Sequence, residues 1–305
     1  MTKVIVTGMG VCSPLGQGLA ANWKNLTDHS FCSEQKEERG ASFATSKRRD
    51  ISGLLKAKEL SELAAIEALE NAGLWDGQSL QNSNPERVGC TVSASKPFLA
   101  SARTIPPDVI NQFVAHRFAL QGESRNVIAA CATGAYSIAL GASWIEQDLC
   151  DVVVAGSVEP FPHPLIQAGF RRMGVMSPEG VTRPFDKKRS GFHFGEGAGV
   201  VILESQKHAA RRGAHILAQL SGWALGSDSH SAVAFNSNGA KIANVITGAL
   251  QRGGLSANDI SHVNAHGTGT HLNDWIETQA LVKAFGPHAA KLMISATWPR
   301  LKTVR

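Results

Sequence analysis

Runs of β-branched residues alternate with helical patterns along this chain, and that alternation most limits the folds open to it. Val4-Ile5-Val6, closed by Thr7-Gly8-Met9-Gly10, reads as a buried strand entering a glycine turn. Residues 51–72 carry Leu55, Leu60, Leu63, Ile66 and Leu69 at helical spacing, with Gly73 as the stop. Residues 88–92, 126–129, 151–156, 197–204, 216–220, 262–265 and 292–295 read as further strands. Residues 109–120, 239–253 and 274–284 read as helices, and the polar stretch 28–50 as surface loops. The order predicts a layered α/β architecture with mainly parallel strands. A length of 305 residues allows one large domain or two ordinary ones. A soft composition break at Arg211-Arg212-Gly213 predicts two lobes, 1–213 and 214–305.

Composition excludes several classes. Charged residues make up 18% of the chain, against about 25% in a typical domain, which argues for much interior and against disorder. The net charge of +5 is far from the dense basic footprint of a nucleic-acid binder. Short basic clusters at Lys47-Arg48-Arg49, Arg171-Arg172, Lys187-Lys188-Arg189 and Arg211-Arg212 read either as solvated faces or as a docking patch for an acidic partner. Five cysteines, an odd number with no C-x-x-C, make a disulfide framework or zinc site a poor fit and suit a reducing cytoplasm. The amino-terminal apolar run is too short for a signal peptide. Residues 127–145 lack charge for 19 residues, long enough to span a membrane. Thr133, Ser137, Ser143, Gly134 and Gly141 make the stretch weakly apolar, so a helix buried inside a soluble protein is expected instead.

Two places carry chemistry. In Ala129-Ala130-Cys131-Ala132-Thr133-Gly134 a strand ends and a helix starts at or just after a cysteine. The positive end of the helix dipole stabilises a thiolate there, making it a nucleophile, and the sharp turn can offer a backbone N–H to an oxyanion. The plainer alternative is a packed structural thiol. Gly134 and Ala135 are expected to leave room for a substrate arm. In Asn264-Ala265-His266-Gly267-Thr268-Gly269-Thr270 a strand delivers a histidine into a Gly/Thr loop ahead of a helix. That is where open α/β sheets place function, although a histidine satisfied by loop backbone fits the same text. The two threonine hydroxyls suit a polar chain such as a phosphopantetheine amide. Gly195-Glu196-Gly197-Ala198-Gly199 precedes a strand, so it lacks the strand-loop-helix order of a dinucleotide site.

Taken in order, these motifs resemble the β-ketoacyl-[acyl-carrier-protein] synthases, condensing enzymes of fatty-acid and polyketide synthesis. The likeness runs from Val4 to about Thr297 and includes residues 6–16, 130–134, 151–156, Arg183-Pro184-Phe185-Asp186, Gly191-Phe192, 195–199, 264–270, Asn273-Asp274 and Glu277. It implies a thiolase-like α/β/α/β/α fold with the nucleophile in the amino-terminal lobe. It implies Cys131 as the nucleophile that takes an acyl group as a thioester, with its amide as half of an oxyanion hole. His266 would hydrogen-bond the malonyl thioester carbonyl and help decarboxylation. Thr268 and Thr270 would contact the phosphopantetheine arm, and Phe170 would be the gating aromatic beside the acyl pocket. The implied reaction is a decarboxylative Claisen condensation, with no metal or organic cofactor beyond the carrier's arm. The implied partners are an acyl carrier protein and a second, identical or related, chain in a dimer; neither nucleic acid nor a membrane span is expected, and the cytoplasm is the expected location.

Three departures from the family's pattern stand out. Ala130 replaces the usual threonine, and the stretch between Val92 and Arg125 is shorter than usual. Trp298 stands where the family has a lysine, and neither the second catalytic histidine nor the Gly-Phe-Gly turn has a counterpart before Arg305. The expectation is therefore an incomplete second lobe and impaired condensation by this chain alone. The alternative is a catalytically inactive partner subunit or a truncated gene product. A thiolase using coenzyme A is a third reading, which the Gly-Thr-Gly-Thr text after His266 disfavours.

Overall fold

The computed structural model describes residues 2–27, 52–100, 103–229 and 237–296. The loops expected at 28–50, the cluster Lys47-Arg48-Arg49, Cys32 and Trp298 lie outside them. In chain order the first elements are β1 (Val4–Ser13), β2 (Gly16–Gln17), α1 (Leu19–Thr27), α2 (Ser52–Asn71), β3 (Val88–Ala94), β4 (Phe98–Ala100), β5 (Arg103–Ile105), α3 (Asp108–Arg117) and α4 (Thr133–Glu146). There follow β6 (Val152–Glu159), α5 (Pro164–Arg172), β7 (Gly197–Ser205), α6 (Gln206–Arg211) and β8 (Ala218–Leu220). The last are α7 (Ala240–Arg252), β9 (His262–Asn264), α8 (His271–Phe285) and β10 (Met293–Ser295).

Two compact units share these elements: Met1–His163 with Gly195–Leu220, and Pro164–Phe194 with Ser221–Arg305. By packing, the first unit extends to Leu220, and residues 164–194 group with the later part of the chain.

The first unit is built on a sheet in the order β2-β1-β7-β6-β3, with β8 also paired to β1. The expectation of mainly parallel strands needs correction here. β7 lies antiparallel to both its neighbours, so β1, β6 and β3 point one way, and β3–β6 is the one neighbouring pair of this sheet that is parallel. A strand buried on both faces reads as a continuous apolar run whichever way it points, so Val152-Val153-Val154-Ala155 carried no sign of direction. Val152, Val154 and Val158 join the core formed with α2 and α3, whereas Val153 meets α4.

Two local expectations are also corrected. Gly8-Met9-Gly10 is not a turn: β1 continues through it, with a register shift between Val6 and Gly8. The glycines serve packing, because a Cβ at Gly8 or Gly10 would lie 2.1 Å from the carbonyl oxygen of Ala68 or Ala64 on α2. Residues 126–129 are not a strand; backbone-to-side-chain bonds hold them instead of a ladder. Val127 N–H donates to Ser93 Oγ at 3.0 Å, and Asn126 Oδ1 accepts the Ala94 N–H at 3.2 Å. The charge-free stretch is helical only from Thr133, and α4 buries Thr133, Ser137, Ala139, Gly141, Ala142, Trp144 and Ile145 while its other side stays partly open. Among the described residues, no helix is long and apolar enough to cross a membrane.

In the second unit β9 and β10 pair in parallel, and α7 and α8 pack together. α8 buries Asp274, Ile276, Ala280, Leu281 and Phe285 and leaves Trp275 and Val282 exposed. A groove of about 550 Å³ follows this exposed side, lined by Trp275, Leu281, Val282, Pro287 and Ile294 among others.

Candidate active site

Cys131 sits in a tight 3-10 turn, Ala130–Ala132, directly ahead of α4. Ala130 has φ of +48°, the left-handed region that an L side chain enters only at a cost of order 1–2 kcal/mol. Thr133 holds this strained elbow from beneath. Its buried Oγ1 accepts the Ala129 N–H at 3.0 Å and donates to the Ala130 carbonyl at 2.8 Å. At Gly134 a Cβ would come within 2.8 Å of Ser157 Oγ on β6, so the missing side chain lets α4 close onto the sheet.

The described cysteines divide sharply. Cys12, Cys90 and Cys150 are buried, and Cys131 is exposed. Burial pushes the Cys90 thiol up to about 12, against a small opposing effect of the Val92 backbone, and raises those of Cys12 and Cys150. Thiols held protonated in this way are poor nucleophiles.

In the second unit the loop after β9 carries His266, Thr268 and Thr270 together. Gly267 and Gly269 take φ of +47° and +74°, which folds the loop back over the start of α8. Two carboxylates one turn apart on α8 then receive its backbone. Glu277 accepts the N–H groups of His266 and Gly267 at 2.7 and 2.8 Å. Asp274, which is buried, accepts the N–H groups of Gly269 and Phe185 at 3.1 and 2.7 Å. Arg189 stands 3.8 Å from the same carboxylate and also bonds the carbonyls of Asp186, Thr270 and His271. These three residues were not given a part by the sequence reading, although an Asp and a Glu at i and i+3 just past a Gly/Thr loop are the signal that marks them. Thr268 and Thr270 share a hydroxyl–hydroxyl bond of 2.9 Å, and Thr270 also caps α8 by accepting the Asn273 N–H.

Phe170, on α5, lies in the same unit as this loop. It meets Phe192 and Phe194 edge to face at 6.0 and 5.2 Å, and those two rings meet each other at 5.7 Å. The neighbouring Gly191 N–H donates to the Gly269 carbonyl at 2.9 Å, tying the aromatic trio to the histidine loop. The exposed basic residues Arg171, Arg172, Lys187 and Lys188 belong to this unit as well. Arg212 does not fit a solvated face: it is nearly buried and paired with Glu204. Among the described residues no three His, Cys, Asp or Glu side chains gather as a metal site would need.

Comparison with known proteins matches this arrangement to a family. Residues 33–209 match the family model of the beta-ketoacyl synthase N-terminal domain, and residues 217–301 that of its C-terminal domain. The mitochondrial 3-oxoacyl-[acyl-carrier-protein] synthase of Arabidopsis thaliana is 31% identical over 94% of this chain and 74% of its own length. The 3-oxoacyl-[acyl-carrier-protein] synthase 2 of Coxiella burnetii is 29% identical over 97% of this chain and 80% of its own. A putative polyketide beta-ketoacyl synthase of Streptomyces cyaneus is 30% identical over 94% and 78%. Among solved structures, a type II polyketide ketosynthase bound to a hexaketide and in complex with its acyl-carrier protein superposes with a TM-score of 0.80 at 25% identity, covering 97% of this chain and 80% of that one. The ishigamide ketosynthase/chain length factor does so with a TM-score of 0.80 at 27% identity, covering 98% and 81%. The fold is thus the thiolase-like α/β fold of the ketosynthases, and the chain belongs to the β-ketoacyl synthase family.

Proposed function

We propose that this chain carries out the family's decarboxylative Claisen condensation in fatty-acid or polyketide synthesis, with an acyl carrier protein as its partner. Cys131 attacks the thioester of an acyl carrier, keeps the acyl group and releases the phosphopantetheine thiol. The Cys131 amide at the elbow is half of the oxyanion hole. A malonyl carrier then loses carbon dioxide, and its new carbanion attacks the acyl-Cys131 carbonyl to give a 3-oxoacyl carrier and the cysteine again. His266 donates to the malonyl thioester carbonyl, Thr268 and Thr270 hold the arm, and Phe170 gates the acyl site. The phosphopantetheine arm is a substrate handle, and the chemistry calls for no metal or further organic cofactor. The covalent intermediate implies ping-pong kinetics. The working form is a dimer with a second copy or a related chain, in the cytoplasm.

The observation that supports this reading most is the exposed Cys131 on a strained elbow, beside three described cysteines that burial keeps protonated. The test is incubation with acyl and malonyl carriers. Acylation of Cys131, seen as a mass increase lost in Cys131→Ala, followed by a 3-oxoacyl product formed at an impaired rate, is the expected result. A Cys131 that no acyl donor labels would make the chain an inactive partner subunit instead.

A further inference from the structure

Ser95, Lys96 and Glu159 form a closed cluster in the first unit. Lys96 Nζ donates to Glu159 Oε1 at 2.8 Å and to Ser95 Oγ at 2.9 Å, and Ser95 Oγ donates to Glu159 Oε2 at 2.5 Å. The lysine and glutamate side chains are 30% and 36% exposed, so the pair is reachable and not a core ion pair.

Its position follows from strand periodicity. Glu159 ends β6, and Ser95 and Lys96 follow the last residue of β3, so the cluster caps the carboxyl ends of the two parallel strands. Open α/β sheets bind ligands at that edge. Val153 and Ser157 of β6 both meet α4, at Gly141 and Gly134 respectively. Alternation puts Glu159 on that same face, two residues or about 7 Å beyond Ser157. The two contacts also show that α4 runs antiparallel to β6, so its amino-terminal end, with Cys131 just ahead of it, points toward Glu159. On β3, Ser93 Oγ accepts from Ser137 Oγ of α4 at 3.0 Å, which assigns Ser93 to this face, and the bond to Glu159 brings Ser95 to the same place. The nucleophile and the cluster thus share one face and one end of the sheet.

We infer that the Lys96–Glu159 pair determines specificity for the acyl group carried on Cys131, favouring chains with an oxygen near the thioester over saturated chains of the same length. This inference rests on the ketosynthase reading. Lys96 has three N–H donors and spends two within the cluster, leaving one for a ligand. A keto or hydroxyl oxygen can take that donor. A methylene at the same place strips water from a charged pair and returns nothing, which is unfavourable.

The experiment compares transfer of 3-oxooctanoyl and octanoyl groups from carrier thioesters to Cys131 of the full chain, followed by intact mass. Wild type is expected to favour the 3-oxo donor by about tenfold, the worth of one charge-assisted hydrogen bond. The double variant Lys96→Met/Glu159→Gln, which leaves no unpaired charge, should bring the ratio to about one. Ser95→Ala, which keeps both charges and frees a further Lys96 donor, should retain a preference for the 3-oxo donor. A wild-type ratio of about one overturns the inference even if the double variant fails to fold, as does a ratio the double variant leaves unchanged. Absence of Cys131 acylation from either donor overturns the ketosynthase reading and this inference together.

Discussion

Reactivity and positioning are set residue by residue. Because burial keeps Cys12, Cys90 and Cys150 protonated, iodoacetamide at pH 8 should modify Cys131 about a hundredfold faster than these three in the native chain. Peptide mapping in a Cys32→Ser background reads this directly, and equal rates at Cys90 and Cys131 would contradict the burial argument. The histidine loop gives a second prediction. Glu277→Gln turns one of two N–H acceptors into an amide donor facing backbone N–H groups. Condensation should fall by about 10- to 100-fold, while acyl transfer to Cys131 stays near the wild-type rate. A merely structural role for Glu277 would lower both half-reactions together. The placement of Cys131 ahead of a helix and of His266 after a strand was legible in the sequence, because helix starts and strand ends leave local marks. The carboxylates beneath His266 were visible only as a motif, and their work became clear once two left-handed glycines turned the loop back onto α8. The Lys96–Glu159 pair joins positions 63 residues apart, so no local pattern announces it.

Among the elements, close approach is the controlling variable. β1 and α2 meet backbone to backbone at Gly8 and Gly10, where an added Cβ would lie 2.1 Å from a helix carbonyl. Gly10→Ala should therefore push α2 off the sheet and cost about 2–4 kcal/mol, by the usual size of overpacking and lost core contact. Urea denaturation checks this, and Gly77→Ala, which meets no neighbouring atom, is the control for substitution without crowding, although its φ of +95° carries its own strain. Helices at 52–71, 108–117 and 240–252 were legible to within a few residues, since amphipathic spacing and glycine stops are local. Strand direction was not legible, because hydrophobicity has no arrow. The supposed strand at 126–129 misled for a related reason: a β-branched run also fits an extended segment held by Ser93 and Asn126.

At the level of the whole molecule, one buried carboxylate fastens the first unit together. Glu204, at the end of β7, accepts from Thr7 on β1, from Arg212 through two nitrogens, and shares a 2.5 Å bond with His208 on α6; Arg212 also donates to the Ala72 carbonyl after α2. Burial opposes its ionisation, but the bonds from Arg212, His208 and Thr7 prevail and hold its pKa at about 2, below the ordinary 4.5. A lowered carboxylate pKa gives stability that is complete above the unfolded value and disappears as pH falls from about 4.5 toward 2. Glu204→Gln should thus cost about 3 kcal/mol at pH 7, with a difference less than half as large at pH 3. Urea midpoints of both proteins at the two pH values measure it, and a constant gap would rule the linkage out. The order of the chain through these units also governs how the protein comes into being. β7 is the strand between β1 and β6, yet it is made after residues 164–194, which belong to the other unit. On the ribosome, β1 and the β6–β3 pair wait with unpaired edges while a segment of the second unit emerges, so the first unit closes late, and a translating chain is exposed to wrong partners until Leu220 is out.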